Sequence, residues 1–220
     1  MLRPLPLVML LLLAFTFTTQ AQETRLDIEA GPNFSTFSSS GENDFESGMK
    51  AGTHIGVSLG YGLSEKLELY AGIGLSENNF QRMYKAGNFE SGNSFPSSFD
   101  LSYGFKMLEV PVGVRYLVSG DLVDLGLTAG FRPVFTSGYE GERFSDQPEI
   151  QQLFDLSDEI RKAGLFVEPA IQLSFDLDEQ TQVFTGFRYG FDTVGLYEKQ
   201  NETRRLHRFD IRAGLSIILF

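Results

Sequence analysis

Seven charged side chains of opposite sign lie within segments that otherwise consist of apolar and small residues. In a shared interior they could form a catalytic or transport site, or an ion-pair network that fills space. Both signs occur in near-equal number, and charges in a narrow interior must be paired. We therefore favour a structural network and predict no catalytic, cofactor-binding or metal-binding residue. The seven residues are Glu109, Arg115, Arg132, Glu168, Arg188, Asp210 and Arg212.

The two histidines of the chain, His54 and His207, are the other residues that could do chemistry. A serine–histidine hydrolase needs a serine within hydrogen-bond reach of the imidazole. Ser58 is one full pleat from His54 on the same face, which is neither close nor specific. Metal binding is disfavoured because no His, Asp and Glu cluster has ligand spacing. We therefore expect both histidines to be polar residues of a strand end or of an interior.

Eight segments show the alternation of apolar and polar residues that is typical of β-strands. In one of them Val123, Leu125 and Leu127 share a face and oppose Asp124 and Gly126. Each segment is long for a globular strand and is about the length that crosses a bilayer at a tilt. The predicted strands are 26–37, 51–63, 67–79, 101–118, 122–136, 164–177, 181–192 and 206–220.

The connections between these strands alternate between long and short. Residues 64–66, 119–121 and 178–180 are short enough for hairpin turns. Residues 38–50, 80–100, 137–163 and 193–205 are long and rich in Gly, Ser, Asn and charge, which predicts solvated loops. The third long loop carries a helical pattern between its Pro and Gly residues. Its apolar positions are Ile150, Leu153, Phe154 and Ile160.

The first residues have the features of a cleaved secretory signal. Arg3 precedes an apolar run that is too short to span a membrane as a helix, and small residues lead to a cleavage site after Ala21. We predict a signal peptide over 1–21 and one domain over 22–220. Loss of Arg3 lowers the Lys and Arg count from 18 to 17 against 29 Asp and Glu, and the net charge from −11 to −12. This acidity argues against nucleic acid as a partner.

These features together predict an all-β fold, an eight-stranded antiparallel up-and-down transmembrane β-barrel. Short turns would face the periplasm and long loops the exterior, and one loop would hold a short helix. A soluble barrel of the lipocalin type has the same alternation with the faces inverted. We favour the membrane barrel because the polar face is mostly Gly, Ser, Thr and Ala and the strands contain almost no lysine. Aromatic residues at the two ends of the apolar face predict two girdles. They are Phe34, Tyr103, Phe135, Phe191 and Phe209 at the outer rim, and Tyr61, Tyr116 and Phe175 at the inner rim.

Residues 107–116, Met-Leu-Glu-Val-Pro-Val-Gly-Val-Arg-Tyr, resemble the central strand of the PorT-like outer-membrane β-barrel family, which has a Leu-Glu-Ile-Pro-x-x-x-Lys-Tyr pattern. Residues 129–133 and the Gly-Leu-Ser before the terminal Phe220 are similar to later strands of that family. The resemblance covers the mature chain in layout. It implies an eight-stranded barrel in the cell outer membrane, inserted by the barrel-assembly machinery. One member of that family is tied to protein secretion.

Two positions depart from simple alternation. Pro111 cannot donate to a ladder hydrogen bond, and a closed barrel has no edge strand. The apolar positions change phase between Phe105 and Leu108, so we predict a bulge just before the proline. Phe220 is one residue out of phase with the apolar face of its strand, and a second bulge near the end would restore it.

The sequence is less specific about activity than about architecture. We favour a non-enzymatic outer-membrane protein with a filled lumen and a structural, adhesive or secretion-associated role. A small passive channel for hydrophobic or small solutes is the alternative, and a lipid-modifying enzyme is the third hypothesis. The expected partners are outer-membrane lipid, the assembly machinery during insertion and envelope proteins that contact the long loops. No cofactor is expected.

Overall fold

The computed structural model describes residues 23–38, 45–84, 87–88, 94–95, 99–141, 160–199 and 202–219. None of these residues lies in a helix long and apolar enough to cross a membrane. The signal peptide, Phe220 and most of the expected loop helix fall outside the described residues. The strands are β1 Thr24–Phe37, β2 Phe45–Ser64, β3 Leu67–Tyr84, β4 Gly87–Asn88, β5 Ser94–Phe95, β6 Phe99–Glu109, β7 Val112–Val118, β8 Asp124–Gly141, β9 Ala163–Asp176, β10 Thr181–Asp192, β11 Tyr197–Lys199, β12 Glu202–Arg204 and β13 Leu206–Ile218.

The long strands form one closed antiparallel ring. Going round it, β1 pairs with β2, β2 with β3, β3 with β6 and β7, and these two with β8. The ring continues through β9, β10 and β13 and closes where β13 pairs with β1. β6 and β7 are two halves of one long strand, because both pair with β3 in one unbroken register. The predicted eight-stranded up-and-down barrel is confirmed.

The two faces of each strand differ as the membrane-barrel prediction requires. On β10, Val183 and Phe187 point outward and are 38% and 66% exposed, whereas Gln182 and Arg188 point inward and are buried. The same division of apolar outside and polar inside holds on β9 and β13. A soluble lipocalin-type barrel would show the reverse, so that alternative is wrong.

The bulge predicted between Phe105 and Leu108, just before Pro111, is absent from the strand that β6 and β7 form, although the neighbouring β8 carries an extra residue opposite Phe105 to Met107. The register against β3 is the same before and after the proline, and the Gly72 N–H donates to its carbonyl at 2.9 Å. The strand instead continues through the proline with one backbone hydrogen-bond donor fewer. The apparent change of phase has another cause, because Tyr103 and Phe105 point into the barrel and are buried. Tyr103 is therefore not part of the outer aromatic girdle.

Register shifts occur at three places in the described wall. β8 has one extra residue between its pairs with Phe105 and Met107 of β6. β2 shifts register against β3 between Met49 and Thr53. The buried side chain of Asn33 donates to the carbonyls of Thr53 and Glu77, both at 2.9 Å, and so joins the two strands beside the second bulge. These two bulges lie toward the long-loop end, where they re-aim the strands. The third shift, between Gly62 and Ser64 of β2, lies beside a short turn.

Four neighbouring strands extend beyond the rest of the ring at the long-loop end. β1 makes its last pair with β2 at Lys50, but β2 continues to Phe45, where it pairs with Tyr84 of β3. β3 pairs in turn with β6 as far as Phe99, and β8 continues beside β6 to Gly141. At about 3.3 Å per residue, β2 projects roughly 16 Å past its last pair with β1. We call the projecting part of β2, β3, β6 and β8 the outer wall.

The loop after β10 folds back over the mouth of the barrel. Its strands β11 and β12 form a small hairpin, and Tyr197 bridges to Ile160 before β9. The carboxylate of Asp192 accepts the backbone N–H groups of Val194, Gly195 and Leu196 at 3.0, 3.1 and 2.6 Å. Gly195 has φ of 85°, a left-handed conformation that favours glycine. The hairpin is therefore fixed at the mouth by a buried carboxylate.

Candidate functional site

All seven charged residues singled out in the sequence point into the barrel and are buried. The period-two geometry of the strands explains this, because each is in phase with the small or polar inward residues of its strand. Their positions in the ring bring six of them into two adjoining clusters, and Arg115 lies nearer the short-turn end. The sequence could not show which partner each charged side chain contacts.

Arg132 on β8 is the centre of the first cluster. Its guanidinium is 2.7 Å from Glu109 and 3.4 Å from Asp210, and it also contacts Glu168 closely. Arg208 lies on the other side of the same acids, 2.8 Å from Asp210 and 3.0 Å from Glu109. Three carboxylates thus share two guanidinium groups. Such bonds between fully charged partners are the strong class of protein hydrogen bond.

Glu29 on β1 is the centre of the second cluster. One carboxylate oxygen is 2.8 Å from Arg188, and the other is 2.7 Å from Arg212. Arg188 joins the two clusters, because its Nε donates to Asp210 at 2.7 Å. Arg212 also donates to Gln172 at 3.2 Å. The charges therefore form one continuous network across the barrel axis.

A third group of charges closes the short-turn end. Arg115 is held between Asp27 at 2.7 Å and Glu68 at 3.0 Å. The second oxygen of Asp27 accepts the hydroxyl of Ser216 at 2.5 Å. Arg25 donates to Gln182 at 3.0 Å. Ion pairs therefore fill the lumen from its middle to its short-turn end.

The described lumen network contains equal numbers of positive and negative groups. Sequence reasoning named seven of its twelve members and missed five. The missed residues Arg25, Asp27 and Glu29 alternate with the outward Leu26, Ile28 and Ala30, so the period-two pattern of β1 contained the signal. The network comprises six arginines, Arg25, Arg115, Arg132, Arg188, Arg208 and Arg212, and six acids, Asp27, Glu29, Glu68, Glu109, Glu168 and Asp210.

An apolar layer lies above the charged network at the long-loop end. Phe37 and Phe80 meet edge to face at 4.8 Å, and Phe80 stacks on Tyr103 at 5.4 Å. Leu196 and Tyr197 of the mouth hairpin are buried in the same layer. We call this set the aromatic plug. Its members are Phe37, Phe80, Tyr103, Phe105, Met107, Val134, Ile160, Phe166, Leu196, Tyr197 and Leu206.

Little free space is left beside the charges. A lumen cavity lined in part by Glu29, His54, Tyr70 and Arg188 has a volume of about 20 Å³. That volume accommodates about one water molecule. The Tyr70 hydroxyl narrows this region further and donates to Glu168 at 3.3 Å. The described part of the lumen is packed with side chains, as barrels of eight strands generally are.

The histidines do not form a catalytic pair with serine within the described part of the chain. His54 lies in the lumen, where neither ring nitrogen has a hydrogen-bond partner, so Ser58 is out of reach. Its Nε2 is 3.9 Å from Glu29. His207 lies at the outer rim, where Nδ1 is 2.6 Å from the hydroxyl of Tyr189. The described residues contain no group of three His, Asp or Glu arranged to hold a metal ion.

Comparison with known proteins agrees with this architecture. The model of the outer membrane protein beta-barrel domain family matches residues 7–193. Among solved structures, Neisserial surface protein A has a TM-score of 0.52 and 13% identity, with 91% of this chain and 100% of that chain covered. OprG from Pseudomonas aeruginosa has a TM-score of 0.50 and 10% identity, with 90% and 94% covered.

A search of curated protein sequences found no match. The structural likenesses, at such low identity, show the fold, whereas the family model covers most of the chain. The match agrees with the apolar outer face and the polar lumen of the barrel. The chain therefore belongs to the outer membrane protein beta-barrel domain family and is an eight-stranded barrel of the cell outer membrane.

Proposed function

We propose that this protein is a non-enzymatic barrel with a closed lumen, and that it acts through its external surface as a structural, adhesive or secretion-associated component. The observation that carries the proposal is that two layers of side chains fill the lumen. Twelve paired charges occupy its middle and its short-turn end, and the aromatic plug occupies the mouth. A solute on the barrel axis would have to displace both layers.

The pairing of the acidic groups in the lumen supports a non-enzymatic role. A general base needs a free lone pair that a substrate can reach. Each of the six lumen acids instead lies within ion-pair distance of at least one guanidinium. Buried charges paired in this way hold strands in one register, and their removal leaves a partner uncompensated.

The outer wall is the surface that we propose for contact with a protein partner. Beyond Lys50, the main chain of β2 is paired with β3 on one side but with no described strand on the other. The part of β8 beyond Thr136 is likewise paired with β6 alone among the described strands. Open sheet edges are templates for strand addition by another chain.

The distribution of charge also supports an external partner. Because the lumen network cancels, the expected net charge of −12 is carried by residues outside that network. Half of it lies at the short-turn end, which has seven acids and one lysine, and a net charge of −6 remains for the long-loop end. The residues of the short-turn end are Glu23, Glu65, Lys66, Asp121, Asp124, Asp176, Asp178 and Glu179. The partner surface that fits best is therefore basic. The Leu-Glu-Val-Pro pattern at residues 108–111 favours a PorT-like affiliation and, with it, the secretion-associated form of the role.

Planar-bilayer recording of the purified barrel tests the closed lumen. We expect no steady conductance under conditions in which a general porin, reconstituted in the same way, conducts. A stable open channel in the wild-type protein would contradict the proposal and favour a passive channel for small solutes.

Photo-crosslinking in living cells tests the outer wall. A photoreactive residue at Met49, which is exposed on the projecting part of β2, should capture protein. The matched control is Leu69, which is similarly exposed on the apolar outer face of β3 and should capture only lipid. Protein adducts at Leu69 but not at Met49 would contradict the assignment of the contact surface.

A further inference from the structure

A row of aromatic and cationic side chains runs down the outside of β10 and β13 at the outer rim. The guanidinium of Arg205 lies 5.4 Å from the centroid of the Phe191 ring, and Phe191 meets His207 edge to face at 5.3 Å. His207 is bonded to the Tyr189 hydroxyl at 2.6 Å, and Tyr189 packs on Phe209 at 4.8 Å. We call these five residues the rim ladder.

The charge of Arg205 distinguishes it from the arginines of the lumen. Each lumen arginine has a carboxylate partner, whereas Arg205 contacts no carboxylate of the described residues. Its main chain is nevertheless fixed. It donates to the hydroxyl of Ser38 at 3.1 Å, and its carbonyl accepts the N–H of Ser38 at 2.8 Å. The result is an exposed cation whose main chain is anchored and whose side chain lies over an aromatic ring.

The rim ladder crosses the upper limit of the apolar outer face. Phe209 and the next outward residue of the strand, Ile211, are 48% and 39% exposed and belong to the face that contacts acyl chains. Arg205 precedes the first residue of β13 and lies above that face. Aromatic residues at such a boundary occupy the level of lipid headgroups. The ladder therefore offers a cation at headgroup height and apolar rings below it.

We propose that the rim ladder binds a phosphorylated glycolipid of the outer leaflet, of the lipid A class. A guanidinium matches phosphate oxygens in charge and in geometry. The Phe191 ring presents an apolar flank beside the phosphate, against which a sugar ring can pack, and Phe209 contacts the acyl chains. The external position of the ladder favours this glycolipid over a glycerophospholipid.

Native mass spectrometry of the purified full barrel, incubated in detergent with diphosphoryl lipid A, tests the proposal. Arg205→Glu should lower the affinity at least about tenfold, since a charge-assisted hydrogen bond is replaced by repulsion. Arg205→Gln should lower it less. The matched control is Lys66→Glu, which makes the same change of charge in the turn at the opposite end of the barrel, and it should leave binding unchanged. Heat-dependent gel mobility verifies that each variant is folded.

Two further probes separate the lipid classes. Monophosphoryl lipid A keeps one phosphate for the single guanidinium and should bind the wild type with the same dependence on Arg205, whereas phosphatidylglycerol should bind more weakly than either form of lipid A. The proposal is wrong if Arg205→Glu binds lipid A as well as the wild type, or if Lys66→Glu loses as much binding. It is also wrong if phosphatidylglycerol binds equally tightly with the same dependence on Arg205.

Discussion

Arg132→Ala is the substitution that most directly probes the lumen network. Arg132 contacts Glu109, Glu168 and Asp210, but its loss does not affect these acids equally. Glu109 keeps Arg208, and Asp210 keeps Arg208 and Arg188. Glu168 keeps only one guanidinium, that of Arg188 at 4.0 Å, together with the Tyr70 hydroxyl at 3.3 Å. One buried carboxylate is therefore left nearly unpaired, which costs about 3–5 kcal/mol of the free energy of unfolding.

Replacement of the acidic partner, Glu168→Ala, should lower the free energy of unfolding by less than Arg132→Ala does. Arg132 then retains Glu109 and Asp210, and the main loss is one ion pair together with the acceptor of the Tyr70 hydroxyl. The double variant, with both Arg132 and Glu168 replaced by Ala, should be less destabilised than the sum of the two single variants, because neither partner remains to be stranded. A loss in the double variant that is smaller than this sum is expected only if Arg132 and Glu168 interact within the network.

Urea unfolding in detergent micelles, followed by the heat-dependent gel shift, measures these free energies. The matched control is Arg161→Ala, which removes an exposed arginine 2.8 Å from Glu198 and should cost roughly 0–1 kcal/mol. A loss from Arg132→Ala as small as that from the control would refute the reasoning, because it would mean that water screens the lumen charges.

Three further results are expected. Ile171 lies on the outer face of β9 between Leu127 and Phe187, and Ile171→Arg should lower the free energy of unfolding in lipid vesicles by about 2–4 kcal/mol. Arg at the exposed Ser119 should lower it by almost nothing. Equal tolerance of the two substitutions would show that the outer face does not contact lipid. Asp192→Ala removes the acceptor of four backbone N–H groups and should make residues 193–205 susceptible to external protease on intact cells, with Glu198→Ala as the resistant control. Mass spectrometry of the mature protein should find Gln22 at its N-terminus, and an intact Met1 would contradict signal cleavage.

The sequence predicts the strands because period-two alternation depends only on local geometry. It fails at Tyr103 and Phe105, where the interior is apolar. The mouth of the barrel is lined with aromatic residues that pack beneath the hairpin, so hydrophobicity there no longer distinguishes inside from outside. The same effect led to the prediction of a bulge between Phe105 and Leu108 in the same strand, whereas the extra residue belongs to β8. Local patterns also cannot show that Arg188 meets Glu29, because these residues lie on β10 and β1, 159 residues apart in sequence.

The pairing of β1 with β13 has a consequence for how the barrel assembles. Across this seam, Arg212 reaches Glu29 and Ser216 reaches Asp27, over sequence separations of 183 and 189 residues. Contacts between such distant segments carry the largest loop-closure entropy and slow folding.

Until the seam closes, Asp27 and Glu29 of β1 face an open, hydrated trough, and their partners on β13, Ser216 and Arg212, lie at the other end of the sheet. Closure brings both sets together and expels the water, so ring closure and neutralisation of these charges are one cooperative step. A slip of one residue in the seam register would turn the acids of β1 toward lipid. The Glu29–Arg212 ion pair and the Asp27–Ser216 hydrogen bond therefore favour the native register in the last strand pairing.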